Sequence, residues 1–175
     1  KVIENVFEGE YRAPTILIEN KILYTLSEPE IPSYYSRRIS EEKFSNNIIS
    51  PINKDADLVI FCYGYSATVA IEVIHKLFIE HEILSEVFIP EMISPLNLSG
   101  IEDIVDNKKL LVCIEEGLEY GSVSSQLISI LSEQKKLPPN TKIFSNNTII
   151  PASKLAENNL MTDADSIVEY ISKKI

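Results

Sequence analysis

Two histidines, two cysteines and one pair of adjacent glutamates are the side chains whose chemistry best suits proton transfer, nucleophilic attack or metal binding. His75 and His81 fall on the exposed side and at the end of one apparent helix. Both therefore read as solvated surface residues rather than a general base, no triad is proposed, and no catalytic residue is assigned. Cys62 and Cys113 each lie near the end of an apolar run, without a Cys-x-x-Cys or Cys/His spacing that could close a metal site. They read as buried free thiols, because unpaired cysteine behaves mostly as a small hydrophobe, and they suit a reducing cytoplasm.

The glutamates leave more open. Glu115 and Glu116 follow an apolar run and lead into Gly117-Leu118-Glu119-Tyr120-Gly121, which joins a strand to a helix amino end. That is the position at which α/β sheets often hold anions. Glu115, Glu116 and Glu119 would oppose a phosphate there, so the segment reads as a tight structural turn, with Gly121 relieving crowding where the helix starts. The adjacent pair could bind a partner or, with raised proton affinity, act as an acid or base; an exposed acidic edge is the plainer reading. The two side chains point to opposite faces if the strand persists. No Gly-x-Gly-x-x-Gly or Gly-x-x-x-x-Gly-Lys-Ser/Thr pattern follows any strand.

The elements around these residues alternate. Residues 58–63 are a continuous apolar run suited to a strand buried on both faces, ended by Gly64. Ala67, Ala70, Ile71, Ile74, Leu77 and Phe78 then recur at helical spacing, with Ser66 as a candidate cap. Residues 86–89 give a second strand, 98–107 a short helix that Ser99 could cap, and 110–114 a third strand. Gly121-Ser122 opens a helix with Val123, Leu127, Ile130 and Leu131 facing inward, and Pro138-Pro139 stops it. Residues 142–144 are a weak fourth strand, 148–150 a candidate fifth, and 151–160 a segment with little regular structure. Thr162 and Asp165 suggest a capping box for a terminal helix with Ile167, Val168 and Ile171 on its apolar face. This order predicts a three-layer α/β/α domain with a mostly parallel sheet of about five strands and right-handed crossovers.

Upstream the pattern is different. Residues 1–26 contain a helix already under way and an apolar strand at 15–19, which reads as a chain that begins mid-domain. Residues 27–54, with Pro29, Pro32 and Pro51 and no sustained periodicity, read as a linker to a domain at 55–175.

Composition narrows the partners. A chain of 175 residues that is 45% hydrophobic folds around a sizeable core. Its apolar runs are far shorter than the roughly 20 residues of a membrane-spanning helix, so it is expected to be soluble. Sixteen basic against twenty-six acidic residues give a net charge of −10, which repels nucleic acid. An acidic surface could attract a basic protein segment, but a solvated face is the plainer reading.

Four segments in register then resemble one family, the transketolase carboxy-terminal domain as it occurs in β chains of 2-oxoacid dehydrogenases. They are ADLVIFCYGYSATVAIEV, VFIPEMISPLNL, KKLLVCIEEGLEYGSVSSQLISIL and IIPASKLAENNLMTDADSIVEYI, and upstream APTILIENKILY is similar to the last strand of the preceding pyrimidine-binding domain. Glu91 stands where many members have arginine and Asn97 where many have aspartate. The resemblance implies that residues 1–26 are the end of a truncated pyrimidine-binding domain. It also implies a parent enzyme that decarboxylates a 2-oxoacid on thiamine diphosphate and magnesium, held between domains that this chain does not contain whole. On that reading this domain supports oligomeric assembly and carries no cofactor or metal ligand. A docking role toward a lipoyl acyltransferase component, through Glu115, Glu116 and the Ile175 carboxylate, is an alternative. The closing domain of a transketolase or of a deoxyxylulose-phosphate synthase is another, since these share the fold.

Overall fold

The computed structural model describes residues 2–8, 14–40, 44–149, 151–153 and 163–175. Its centre is a six-stranded sheet in the order β1-β2-β4-β3-β5-β6. The strands are β1 (Tyr35–Ile39), β2 (Asn46–Pro51), β3 (Leu58–Cys62), β4 (Ser85–Pro90), β5 (Leu110–Ile114) and β6 (Asn140–Phe144). β4, β3, β5 and β6 run parallel, whereas β2 is antiparallel to β4 and β1 antiparallel to β2. The mostly parallel three-layer architecture is as expected, with one strand more.

β3 and β5 are buried along their whole length, as their unbroken apolar runs require of strands covered on both faces. Leu58, Ile60, Cys62, Leu110, Val112 and Ile114 enter the core on one face; Val59, Phe61, Leu111 and Cys113 enter it on the other. The first face is covered by α2 (Ser66–His81) and α5 (Ala164–Ser172), the second by α3 (Ile101–Val105) and α4 (Val123–Glu133). Ala70, Val73, Ile74 and Leu77 form the sealed stripe of α2. Each fully buried Leu, Ile or Val contributes about 1.5–3 kcal/mol by leaving water, so the two central strands and these stripes hold the layers together.

Several local expectations are corrected. Residues 27–54 are not a simple linker, because they supply β1 and β2. β1 is an edge strand whose residues after Tyr35 are all exposed, and Arg37 and Arg38 suit an edge that must not pair with another chain. Residues 14–20 form no strand, and Ile16 and Ile18 are 88% and 75% exposed. A strand needs a neighbour to satisfy its backbone, and no strand among the described residues pairs with this run. A short 3₁₀ helix (Lys21–Thr25) follows it, capped by Asn20 Oδ1 accepting from Ile22 N at 3.0 Å. Upstream lies α1 (Val2–Glu8).

Ser66 is the first residue of α2 rather than its cap, and α3 is preceded by Gly100 at φ 84° instead of being capped by Ser99. α5 is capped by Asp163, whose side chain accepts from Ser166 N at 2.7 Å; Thr162 lies outside the described residues. Thr148 and Ile149 are not strand, and Ile150 and residues 154–160 also lie outside the described residues.

Candidate functional site

The crossovers leave β3 and β5 on opposite faces: α2 leads from β3 to β4 on one side, and α4 leads from β5 to β6 on the other. The carboxyl ends of these two adjacent strands are therefore the topological switch point, the place where open α/β sheets bind ligands. β3 ends in Tyr63-Gly64-Tyr65 and β5 in Glu115-Glu116-Gly117, so the two glutamates stand at the centre of this edge. They do point to opposite faces.

Glu115 is only 5% exposed. Its Oε1 accepts from Ser124 N in the first turn of α4 at 2.6 Å, and its Oε2 accepts from the Tyr63 hydroxyl at 2.6 Å. The carboxylate thus meets one of the free amide groups and the positive end of the α4 dipole. Burial, and then this hydrogen bond, push the Tyr63 phenol well above its ordinary value. Ser122 caps the same helix, accepting from Ser125 N at 3.1 Å.

Glu116 turns to the amino end of α2. Burial raises its pKa, and the backbone amides of Ser66 and Tyr65 oppose that rise by favouring the carboxylate. Its Oε1 lies 3.8 Å from where a Cβ on Gly64 would stand, and Gly64 itself has φ 60°. Asn20 Nδ2 donates to Glu116 Oε2 at 3.4 Å, bringing the upstream segment onto this edge. Glu119 accepts from Asn147 Nδ2 at 3.2 Å and is thereby tied to the loop after β6. A Cβ on Gly121 would have nothing within 4 Å, so its φ of 70°, not crowding, is what requires glycine there.

The amino end of α4 is therefore bonded by Glu115, and Glu116 faces that of α2 with its Oε1 buried and without a hydrogen-bond partner among the described residues. This arrangement does not fit a diphosphate, whose charge would meet Glu115, Glu116 and Glu119 at close range. Among the described residues no group of three His, Cys, Asp or Glu side chains is placed to hold a metal ion. The remaining residues singled out above are dispersed. His75 Nδ1 lies 2.9 Å from the Tyr34 hydroxyl on the outer side of α2, and His81 is exposed at its end. Cys62 and Cys113 are fully buried on opposite faces; burial lifts both thiols, that of Cys113 to about 12.

The docking group is separated as well. Glu115 is turned inward rather than forming an exposed acidic edge. Ile175 is 36% exposed at the end of a helix that runs antiparallel to α2, from Asp165 beside Lys76 to Tyr170 against Phe144. Tyr63, Ser124 and Asn20, which complete the site, have no motif to announce them.

A family model described as "Transketolase, C-terminal domain" matches residues 49–167, more than half of the chain. The chain belongs to that family. Within the transketolase carboxy-terminal domain so defined lie β3 to β6, α2 to α4 and both glutamates. Among curated proteins none matches the chain. Two solved structures share the fold of this transketolase-type domain. A split-gene transketolase described as an inactive β4 tetramer matches with a TM-score of 0.60 at 20% identity over 69% of this chain. The 2-oxoglutarate:ferredoxin oxidoreductase from Magnetococcus marinus, with 2-oxoglutarate, coenzyme A and succinyl-CoA bound, matches with a TM-score of 0.52 at 14% identity over 74% of this chain. The chain covers 40% and 19% of those two proteins. No helix among the described residues is long and apolar enough to cross a membrane.

Proposed function

We propose that this domain closes the β-type chain of a thiamine-diphosphate-dependent 2-oxoacid dehydrogenase and serves assembly rather than chemistry. The observation that carries the reading is the self-filled switch point. With Glu115 hydrogen-bonded to α4 and the Glu116 carboxyl group facing α2, the crevice that other α/β domains give to a phosphate is occupied by the chain's own acidic groups. Thiamine diphosphate and magnesium then belong to other domains of the parent enzyme, and a reducing cytoplasm suits its two free thiols.

Titration calorimetry of the chain with thiamine diphosphate and magnesium tests the division of labour. No saturable heat is expected. Saturable binding at micromolar cofactor would sink it.

Oligomerisation follows from the same reading. Ile16, Ile18 and Tyr24 are exposed in one short segment, an arrangement that favours burial against another chain or domain, and the split transketolase is described as a tetramer. Sedimentation of the purified chain measures this directly, with a monomer at all concentrations as the contrary result. A docking role toward a basic lipoyl-acyltransferase segment is supported by the net charge of −10 and by the partly exposed Glu116, whereas the inward-turned Glu115 has no part in it. Salt-sensitive binding that is lost in Glu116→Lys is the expected outcome; binding unaltered by that change removes Glu116 from the surface.

A further inference from the structure

Between Asn20 and Ile31 the chain passes over the amino half of α2 without filling the space beneath it. The 3₁₀ helix in this strap has no buried residue. Below it lies a cavity of about 370 Å³, walled by Leu23, Leu26 and Pro29 of the strap and by Ile49, Ile71 and Ile89 of the body. This cavity opens to solvent and also has Glu28, Arg37, Asn47 and Thr68 in its lining, so strap and body are held near each other but not packed together as the close-packed core is. Ile31 joins the main core and fixes the downstream end. Two side-chain contacts hold the rest: Asn20 Nδ2 to Glu116 Oε2 at 3.4 Å, and Arg37 Nη1 to Glu28 Oε1 at 2.6 Å. Arg37 is itself aimed by Nε donating to Asn47 Oδ1 at 2.8 Å. The second contact is solvent-facing, with Arg37 39% and Glu28 77% exposed, so it is a weak fastening.

We propose that residues 20–31 are a lid with two pins, Asn20–Glu116 and Glu28–Arg37, which closes the apolar crevice beside the amino end of α2 and opens without unfolding the domain. Leu23, Leu26 and Pro29 of the lid line the cavity, as do Glu28 and Arg37 of the second pin, while Ile22 and Tyr24 face solvent. Lifting the lid therefore uncovers Ile49, Ile71 and Ile89 and leaves the central strands untouched.

Hydrogen exchange followed by mass spectrometry on the intact chain tests this, read at the amides of residues 22–28 with β5 as the internal reference. Asn20→Asp, which keeps the Oδ1 acceptor for Ile22 N but puts an oxygen where Nδ2 donates to Glu116, and Glu28→Gln are each expected to speed exchange of the lid by about two- to fivefold, the equilibrium weight of one exposed polar contact, with the two factors multiplying in the double variant. β5 should not change. Swapping the charges in Glu28→Arg/Arg37→Glu should restore the wild-type rate, and trypsin cleavage after Lys21 should follow the same order. Three results would overturn the proposal: lid amides that exchange in the wild type as fast as an unstructured peptide, lid amides that exchange only with β5, or variants that leave the lid rate unchanged.

Discussion

Replacing Glu115 by alanine separates a structural carboxylate from a surface one. In the fold, Glu115 Oε1 accepts from Ser124 N and Oε2 from the Tyr63 hydroxyl, both at 2.6 Å. Ser124 is fully buried, so removing its acceptor leaves an amide that water cannot reach. Tyr63 is half-buried and its hydroxyl can turn toward solvent, so its loss is smaller. A hydrogen bond to a charged group contributes about 1.5–3 kcal/mol, and stranding a buried donor costs about 1–3 kcal/mol. Glu115→Ala is therefore expected to lower the unfolding free energy by about 3 kcal/mol, Tyr63→Phe by about 1 kcal/mol, and Glu115→Gln by an intermediate amount. The glutamine carbonyl can still accept from Ser124 N, while its amide turns the Tyr63 hydroxyl into an acceptor. Urea unfolding followed by far-ultraviolet circular dichroism, with the slope checked for constancy, gives the numbers. An exposed acidic residue would change stability by less than about 0.5 kcal/mol. A loss that small for Glu115→Ala, or a Tyr63→Phe loss equal to it, would refute the reasoning.

Two further outcomes are expected. Burial raises the folded pKa of Glu116 above its ordinary 4.5, so the folded state holds this proton more tightly than the unfolded one. The ionised carboxylate then costs stability at neutral pH, and the cost fades as pH falls through the folded pKa and below 4.5. Glu116→Gln should accordingly raise the urea midpoint at pH 7.5 but leave it unchanged near pH 3.5; destabilisation at pH 7.5 would contradict this sign. Cys62 and Cys113 should stay unreactive toward an aromatic disulfide reagent in the native state and react together on unfolding, because both are fully buried and burial holds both as thiols. Lying on opposite sheet faces, they should form no mutual disulfide under oxidant, which peptide mapping checks.

What the sequence revealed depended on how strongly burial marks it. β3, β5 and α2 are legible because a strand covered on both faces must be apolar throughout, and a helix on a sheet must repeat its apolar residues at helical spacing. β1 escaped because edge position relaxes that demand, and β2, an interior strand, because its buried positions include polar and proline residues. β1 carries Arg37 and Arg38, and β2 begins with two asparagines and ends in Pro51, with only Ile48 and Ile49 to show its burial. The run at 15–19 failed in the opposite sense, since apolar residues make a strand only where another strand receives them. The orientation of the glutamates followed from strand alternation, but the burial of Glu115 did not. It depends on Tyr63, which lies 52 residues away and meets the carboxylate only because β3 and β5 are neighbours.

That neighbourhood gives the glutamate pair a mechanical meaning. α2 and α4 lie on opposite faces of the sheet and share no surface through which one could position the other. Adjacent residues at the end of β5 meet the amino ends of both: Glu115 bonds α4, and Glu116 faces α2. One turn thereby couples the two outer layers across the sheet edge, using interactions that a bound phosphate would otherwise supply. Glu115 holds α4 in place without a ligand, and the buried charge of Glu116 disfavours an anion beside α2 at a cost in stability. Such an edge is a poor starting point for a site that must admit and release an anion, because every approach to it meets a carboxyl group of the chain itself.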